Sequence, residues 1–209
     1  MILVSISRNS LILALFALVT AAVLALTFRL TQSHIAAAER RAAQKALLEI
    51  VPEWRHDNDL LTDTRTLSAG DATLLGVDNS HTIHLAKKDA RVVAAIIPTL
   101  TNKGYSGDIK LIVGVNADGS VAGVRVLTHK ETPGLGDKID LKKSEWILSF
   151  DGLSLDKPSA QEWTVKKDGG YFDQFTGATI TPRAVVEQVA LVLEYVRKHH
   201  DMIFAEAES

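Results

Sequence analysis

The sequence predicts an α+β domain with antiparallel strands, carried behind a single N-terminal transmembrane helix. Three observations lead there. Between Arg8 and Arg29 the chain runs for 20 residues, Asn9 to Phe28, without a charge. From about Thr73 to Phe175, short β-branched runs alternate with turn residues, with no repeated strand–helix–strand pattern. From Pro182 to His200, apolar residues return at helical spacing.

The uncharged run is long enough, at helical rise, to cross the roughly 30 Å hydrocarbon core of a bilayer. A cleavable signal peptide is the competing reading, since Ala21, Ala22 and Ala36–Ala38 supply small residues. The run exceeds a usual signal core, and helical sequence follows it, which favours an uncleaved anchor over residues 1–32. Ser33 to Val51 is alanine-rich, charged at Glu39, Arg40, Arg41, Lys45 and Glu49, and stopped by Pro52. It reads as a helical stalk over 33–52, packing Leu47, Leu48, Ile50 and Val51 on the domain that occupies 53–209.

Glu53 to Gly70 is polar and reads as a loop or a docking surface. Thr82–Leu85 and Val92–Ile97 are strand-like. Asp108–Val115 alternates, with Ile109, Leu111, Val113 and Val115 on one face and Lys110 on the other. Asn116-Ala117-Asp118-Gly119-Ser120 turns the chain into Val121–Thr128, completing a hairpin. Leu141–Phe150 is expected to be a short helix, and Glu162–Lys166 and Gly170–Phe175 a pair of strands. In the last helix Val185, Val189, Val192 and Val196 form a stripe beside Val186 and Leu193, with Arg183, Glu187, Glu194 and Lys198 facing out.

Composition removes several function classes. The chain has no cysteine, so disulfides, thiolate metal sites and iron–sulfur ligation are excluded. A formal charge of −2 with no long basic run gives no footprint for nucleic acid. His81 and His84 would face opposite sides of a strand, which argues against a metal pair.

The densest chemistry lies in Asp173-Gln174-Phe175-Thr176-Gly177-Ala178-Thr179-Ile180-Thr181, which leads into the helix expected to begin at Pro182. A helix N-terminus presents unpaired N–H groups and partial positive charge, so it suits a phosphate. A threonine hydroxyl just ahead of it is placed to be joined to that phosphate. The plain alternative, Thr181 as an N-cap with Pro182 at the first helical position, leaves Thr176, Gly177, Ala178 and Thr179 unexplained. A second stretch, His129-Lys130-Glu131-Thr132-Pro133-Gly134-Leu135-Gly136, reads locally as a turn fixed by Pro133 and the two glycines.

The spacing Asp-x-x-Thr-Gly-Ala-Thr from Asp173 to Thr179 resembles the flavinylation motif of the FMN-binding domain family. The wider string from Tyr171 to Val186 is similar to the G subunits of bacterial Rnf (Rsx) electron-transport complexes, and Glu131-Thr132-Pro133-Gly134-Leu135-Gly136 matches the second motif of that family. Gly104-Tyr105-Ser106-Gly107 marks where its FMN-binding module starts, here about 104–198. The resemblance implies FMN covalently linked through its phosphate to Thr179, with Thr176, Gly177 and Ala178 around it and Thr132 and Leu135 against the ring. It implies a recognition or metal-assisting role for Asp173 with a separate flavin transferase, the plain alternative being an acid that only caps a turn. The implied setting is a redox subunit that does not turn over substrate alone. Its partners would be other membrane and iron–sulfur subunits of an ion-translocating complex. The C subunit of sodium-translocating NADH:quinone reductase is an alternative, as is a non-redox flavin-binding or interaction module.

Orientation divides the two lines of reasoning. Arg29, Arg40, Arg41 and Lys45 follow the apolar run and only Arg8 precedes it, so charge counting puts the domain in the cytoplasm. The resemblance implies a single-pass protein of the bacterial inner membrane with its large domain in the periplasm.

Overall fold

The structure is a computed structural model and describes residues 2–78 and 81–205. The side chains of Arg8, Arg29, Glu39 and Arg40, used above in the charge count, lie outside those described. The chain divides into two units, Met1–Ala43 and Gln44–Ser209. Helix α1 covers Ile2–Ile50. Within the first unit, Ser10–Gln32 is long and apolar enough to cross a membrane. Its described side chains, Leu11, Phe16 and Leu24 among them, are exposed, an arrangement that water does not favour and a bilayer does.

The second unit is built on a five-stranded antiparallel sheet in simple meander order, β1 (Thr64–Thr66), β2 (Thr82–Lys88), β3 (Arg91–Gly104), β4 (Gly107–Asn116) and β5 (Val121–Thr128). The expected mixed α+β class with antiparallel strands is what the chain adopts. Strands β2 and β3 run longer than their β-branched cores suggested. They meet at Asp89 and Ala90, whose φ values of 51° and 64° supply the two left-handed positions of a tight hairpin turn without glycine. The expected β4–β5 hairpin is present, with Val113 opposite Val124.

Two segments differ most from expectation. The stretch expected to be loop contains β1 and a short helix, α2 (Ala69–Leu75). The Ser68 hydroxyl oxygen caps α2 by accepting from the Asp71 N–H at 3.2 Å. Gly76 ends it at φ 74°, where an added Cβ would meet the Leu100 carbonyl oxygen at 2.3 Å. In the other segment, Glu162–Phe175 forms no strand pair. It is a chain of 3₁₀ turns with one bridge from Val165 to Phe172. Burial of Trp163, Phe172 and Phe175 among aromatic neighbours outweighs the strand preference of those residues. Leu141–Phe150 is helical only over Glu145–Phe150, again as 3₁₀.

Helix α3 (Ile180–Lys198) lays its stripe on one face of the sheet. Val185, Val186, Val189, Val192, Leu193 and Val196 are buried there against Ile97, Ile109, Leu111 and Val113. A five-residue helix, α4 (His200–Phe204), follows it. The opposite face is covered too. Leu47, Ile50 and Val51 pack with Leu60, Ala86, Ala94, Ile96 and Ile112. Gly114 makes room for this second layer, and Gly123 faces it at ordinary contact distance. A Cβ on Gly114 would lie 2.2 Å from Ile50 Cγ2, and one on Gly123 3.5 Å from Ile50 Cα.

Gly114→Ala therefore overpacks the sheet against Ile50. It should destabilise the domain by about 1–3 kcal/mol, seen as a lower thermal midpoint. In the Ile50→Ala background the same added methyl should cost much less.

Candidate functional site

The site is assembled from three distant segments, and aromatic packing sets the first. Phe172 and Phe175 are buried on either side of Asp173 and Gln174. Phe172 stacks on Phe150 with ring centroids 4.6 Å apart, and Phe175 meets Trp146 edge-on at 5.1 Å. Trp146 Nε1 donates to the Asp173 carbonyl at 2.8 Å. With the chain held there, Phe175 to Ala178 closes as a β-turn in which the Ala178 N–H donates to the Phe175 carbonyl at 3.0 Å. Gly177, at the third position, has φ 80°, the left-handed value such a turn demands. A Cβ there would sit 3.6 Å from Leu135 Cδ2, so the glycine serves conformation rather than space.

The turn delivers Thr179 to the mouth of α3. The helix begins at Ile180, two residues before the expected start, and Thr179 is its N-terminal flanking residue. The Thr179 hydroxyl makes no capping bond. Thr181 is therefore not the N-cap. It is the second helical residue, fully buried, and its hydroxyl donates to Glu131 Oε2. Pro182 is accommodated because the first turn of a helix has no use for its missing N–H.

The second segment is the loop after β5. The Thr132 carbonyl accepts from the N–H groups of Leu135 and Gly136, both at 3.1 Å. The Gly134 N–H donates to the buried Asp137 carboxylate at 2.8 Å. These bonds push the Leu135 side chain outward, 42% exposed. They also bring the Gly136 backbone so close that a Cβ would lie 2.8 Å from Glu131 Oε2 and 2.9 Å from Thr181 Oγ1. The third segment is the β3–β4 turn, where Tyr105 stands 70% exposed.

Together these segments enclose a cavity of about 380 Å³, lined among others by Tyr105, Thr132, Leu135, Gly177, Ala178 and Thr179. Its size suits a small cofactor. Of the residues singled out from sequence, Thr132, Leu135, Gly177, Ala178 and Thr179 converge on it. Thr176 lies exposed on the turn, outside the lining. Asp173 faces a separate cavity of about 370 Å³ beside Trp146, Tyr171 and Lys166, whose Nζ is 2.6 Å from its carboxylate. Nearby, the Arg183 guanidinium donates to Asp168 at 2.6 Å and holds that exposed carboxyl below its ordinary pKa. Glu131, Gly136 and Ile180 also line the cavity and were not singled out. Glu131 was in view only as the first residue of the turn-forming second motif, without a role of its own, and nothing local distinguishes a buried acid from a solvated one.

Among the described residues no three His, Cys, Asp or Glu side chains gather as a metal site. His84 instead donates from Nδ1 to the Leu60 carbonyl at 2.8 Å. Burial lowers its pKa, against a smaller opposing effect of that bond.

The sheet-and-helix unit that holds the cavity is an FMN-binding domain. Residues 104–194 match the family model of that description, and residues 1–50 match one described as RnfG N-terminal region. The chain is 46% identical over 201 residues to the G subunit of an ion-translocating oxidoreductase complex of Vibrio cholerae, covering 96% of this chain and 95% of the relative. It is 46% identical to the protein of the same name from Pseudomonas aeruginosa, over 98% of this chain and 95% of the relative. A third, from Pseudoalteromonas atlantica, is 44% identical over 96% and 92%. The chain belongs to this family of Rnf G subunits, not to the C-subunit alternative.

The residues present fit FMN. The uncapped Thr179 hydroxyl and the free N–H groups at the α3 N-terminus suit a phosphate. Tyr105, Leu135 and Ile180 give exposed apolar surface at the cavity for a flat ring. Gly177→Val forces a β-branched residue to φ 80° and should distort the turn that presents Thr179. The flavin-to-protein absorbance ratio should fall, while the near-UV circular dichroism of the aromatic cluster persists.

Proposed function

We propose that this chain carries FMN as a phosphoester of Thr179 Oγ and relays electrons as a redox subunit of an Rnf-type complex that couples electron flow to ion translocation. The observation that carries the attachment is the Thr179 hydroxyl, unengaged as a cap, at the N-terminus of α3 and on the wall of the cavity. FMN, when bound, supplies one- and two-electron redox chemistry. The chain's own residues supply the rest. The α3 N-terminus stabilises the phosphate charge, and Thr132, Leu135, Gly177 and Ala178 confine the ring on the cavity wall. Thr176 lies on the turn that presents the acceptor.

Asp173 is proposed as part of the surface read by a flavin transferase. Its exposure supports this, as does its place in a cavity separate from that of Thr179. A phosphoester leaves the ring positions free, so the link acts as a tether that prevents cofactor loss. Such a tether is most useful where free FMN is scarce. On that ground, and on the family resemblance, we place the large domain in the periplasm with the anchor in the inner membrane. The charge count points the other way. The remaining membrane and iron–sulfur subunits of the complex are the proposed partners, a reading supported by the relatives' name as subunits of an ion-translocating oxidoreductase complex.

Thr179→Val is nearly isosteric and should abolish flavin fluorescence that survives denaturation, with the fold retained. Persistence of that signal in Thr179→Val, with Thr176→Val or Thr181→Val dark, would move the link to another hydroxyl. Asp173→Ala should slow flavinylation by a transferase in vitro while leaving the thermal midpoint unchanged.

For topology, alkaline phosphatase fused after the last residue should be active. A reporter that folds only in the cytoplasm should be dark. The opposite pair of results would place the domain in the cytoplasm.

A further inference from the structure

The cavity contains a buried acid for which the attachment reading has no use. Glu131 is 4% exposed. Among the described residues no cation lies within ion-pair distance of it, although burial of an unpaired acid is costly. Its two oxygens are instead divided between two of the three segments that build the cavity. Oε1 accepts from the Ser106 N–H of the β3–β4 turn at 2.9 Å, and Oε2 accepts from Thr181 on the first turn of α3. Glu131 itself lies on the remaining one, the loop after β5. Glycines clear its approach on both sides. A Cβ on Gly104 would come within 2.8 Å of Oε1, and one on Gly136 within 2.8 Å of Oε2. The Ser106 N–H can only donate, so Oε1 is an acceptor there, while the Thr181 hydroxyl on Oε2 can donate or accept.

We propose that Glu131, as a carboxylate, is the positioning residue of the flavin cradle and holds the bound flavin at a low reduction potential; this rests on the flavin-site reading. The clamp and the charge are two consequences of one placement. Through Ser106 and Thr181 the carboxylate ties the turn bearing Tyr105 to the helix end bearing Thr179. As a fixed acceptor on the wall of a partly enclosed cavity, it opposes the arrival of an electron on the ring, because charge acts strongly where water is scarce. Where an electron arrives without a matching proton the flavin would gain negative charge, a state the carboxylate would disfavour.

The test uses the full chain in detergent and has two arms. In the flavin-free protein, amide exchange at Ser106 should be slow and should accelerate by about tenfold or more in Glu131→Ala, as expected for loss of a charge-assisted hydrogen bond. Unchanged exchange would overturn the clamp. The second arm uses Glu131→Gln, which keeps shape and lets Thr181 reverse its donor role. Its flavin should show a midpoint potential shifted positive of the wild type, while Glu131→Asp, which keeps the charge, should shift it less. Equal potentials in wild type and Glu131→Gln would overturn the charge role. Potentials are compared for whichever flavin the chains hold, attached or added as free FMN. Absence of the covalent link would then count against Thr179 alone.

Discussion

The bond from Thr181 to Glu131 fixes where α3 begins, and the site depends on that start. With Thr181 fully buried and committed to the acid, the helix cannot open at Pro182, and its first free N–H groups fall beside Thr179 and the cavity. The same bond brings the loop after β5 within backbone reach of the helix. Gly136 has no room there for a side chain. One buried acceptor thus aligns the N-terminal end of α3 with the loop that forms the opposite wall.

The aromatic cluster serves the other side of the site. Phe150, Trp146, Trp163, Phe172 and Phe175 anchor a stretch with almost no regular secondary structure. Irregular chain becomes rigid when its large side chains are buried and its backbone groups are paired, as by Trp146 Nε1 on the Asp173 carbonyl. This lets the motif place Asp173 and Thr179 in different cavities. A surface suited to recognition by another protein and a wall suited to a cofactor can then share nine residues of sequence.

The sheet supports both. Its α3 face carries the site, and its other face receives Leu47, Ile50 and Val51 through the space left at Gly114. A meander of five strands, covered on both sides, gives the turn after β3, the loop after β5 and α3, which line the cavity, a stiff support. An electron carrier gains from that stiffness, since donor and acceptor distances must hold through every turnover.

Much of this was legible in the residues themselves. The apolar run, the β4–β5 hairpin and the valine stripe of α3 are local patterns, governed by periods of one helix turn or one strand pleat. The two motifs were legible as chemistry, because Gly177 and Gly134 need left-handed backbone and Thr179 needs only to precede a helix. Even α2 was signalled, by Ser68, Asp71 and Gly76 at capping positions. Tertiary structure decided what depends on partners distant in the chain. Glu162–Phe175 gave up its strand preference to an aromatic cluster, and Thr181 gave up the N-cap to a buried acid fifty residues earlier. Burial and charge pairing across such separations leave no mark on local sequence, so only the folded chain could assign Glu131 to the cavity and Thr176 and Asp173 to its outside.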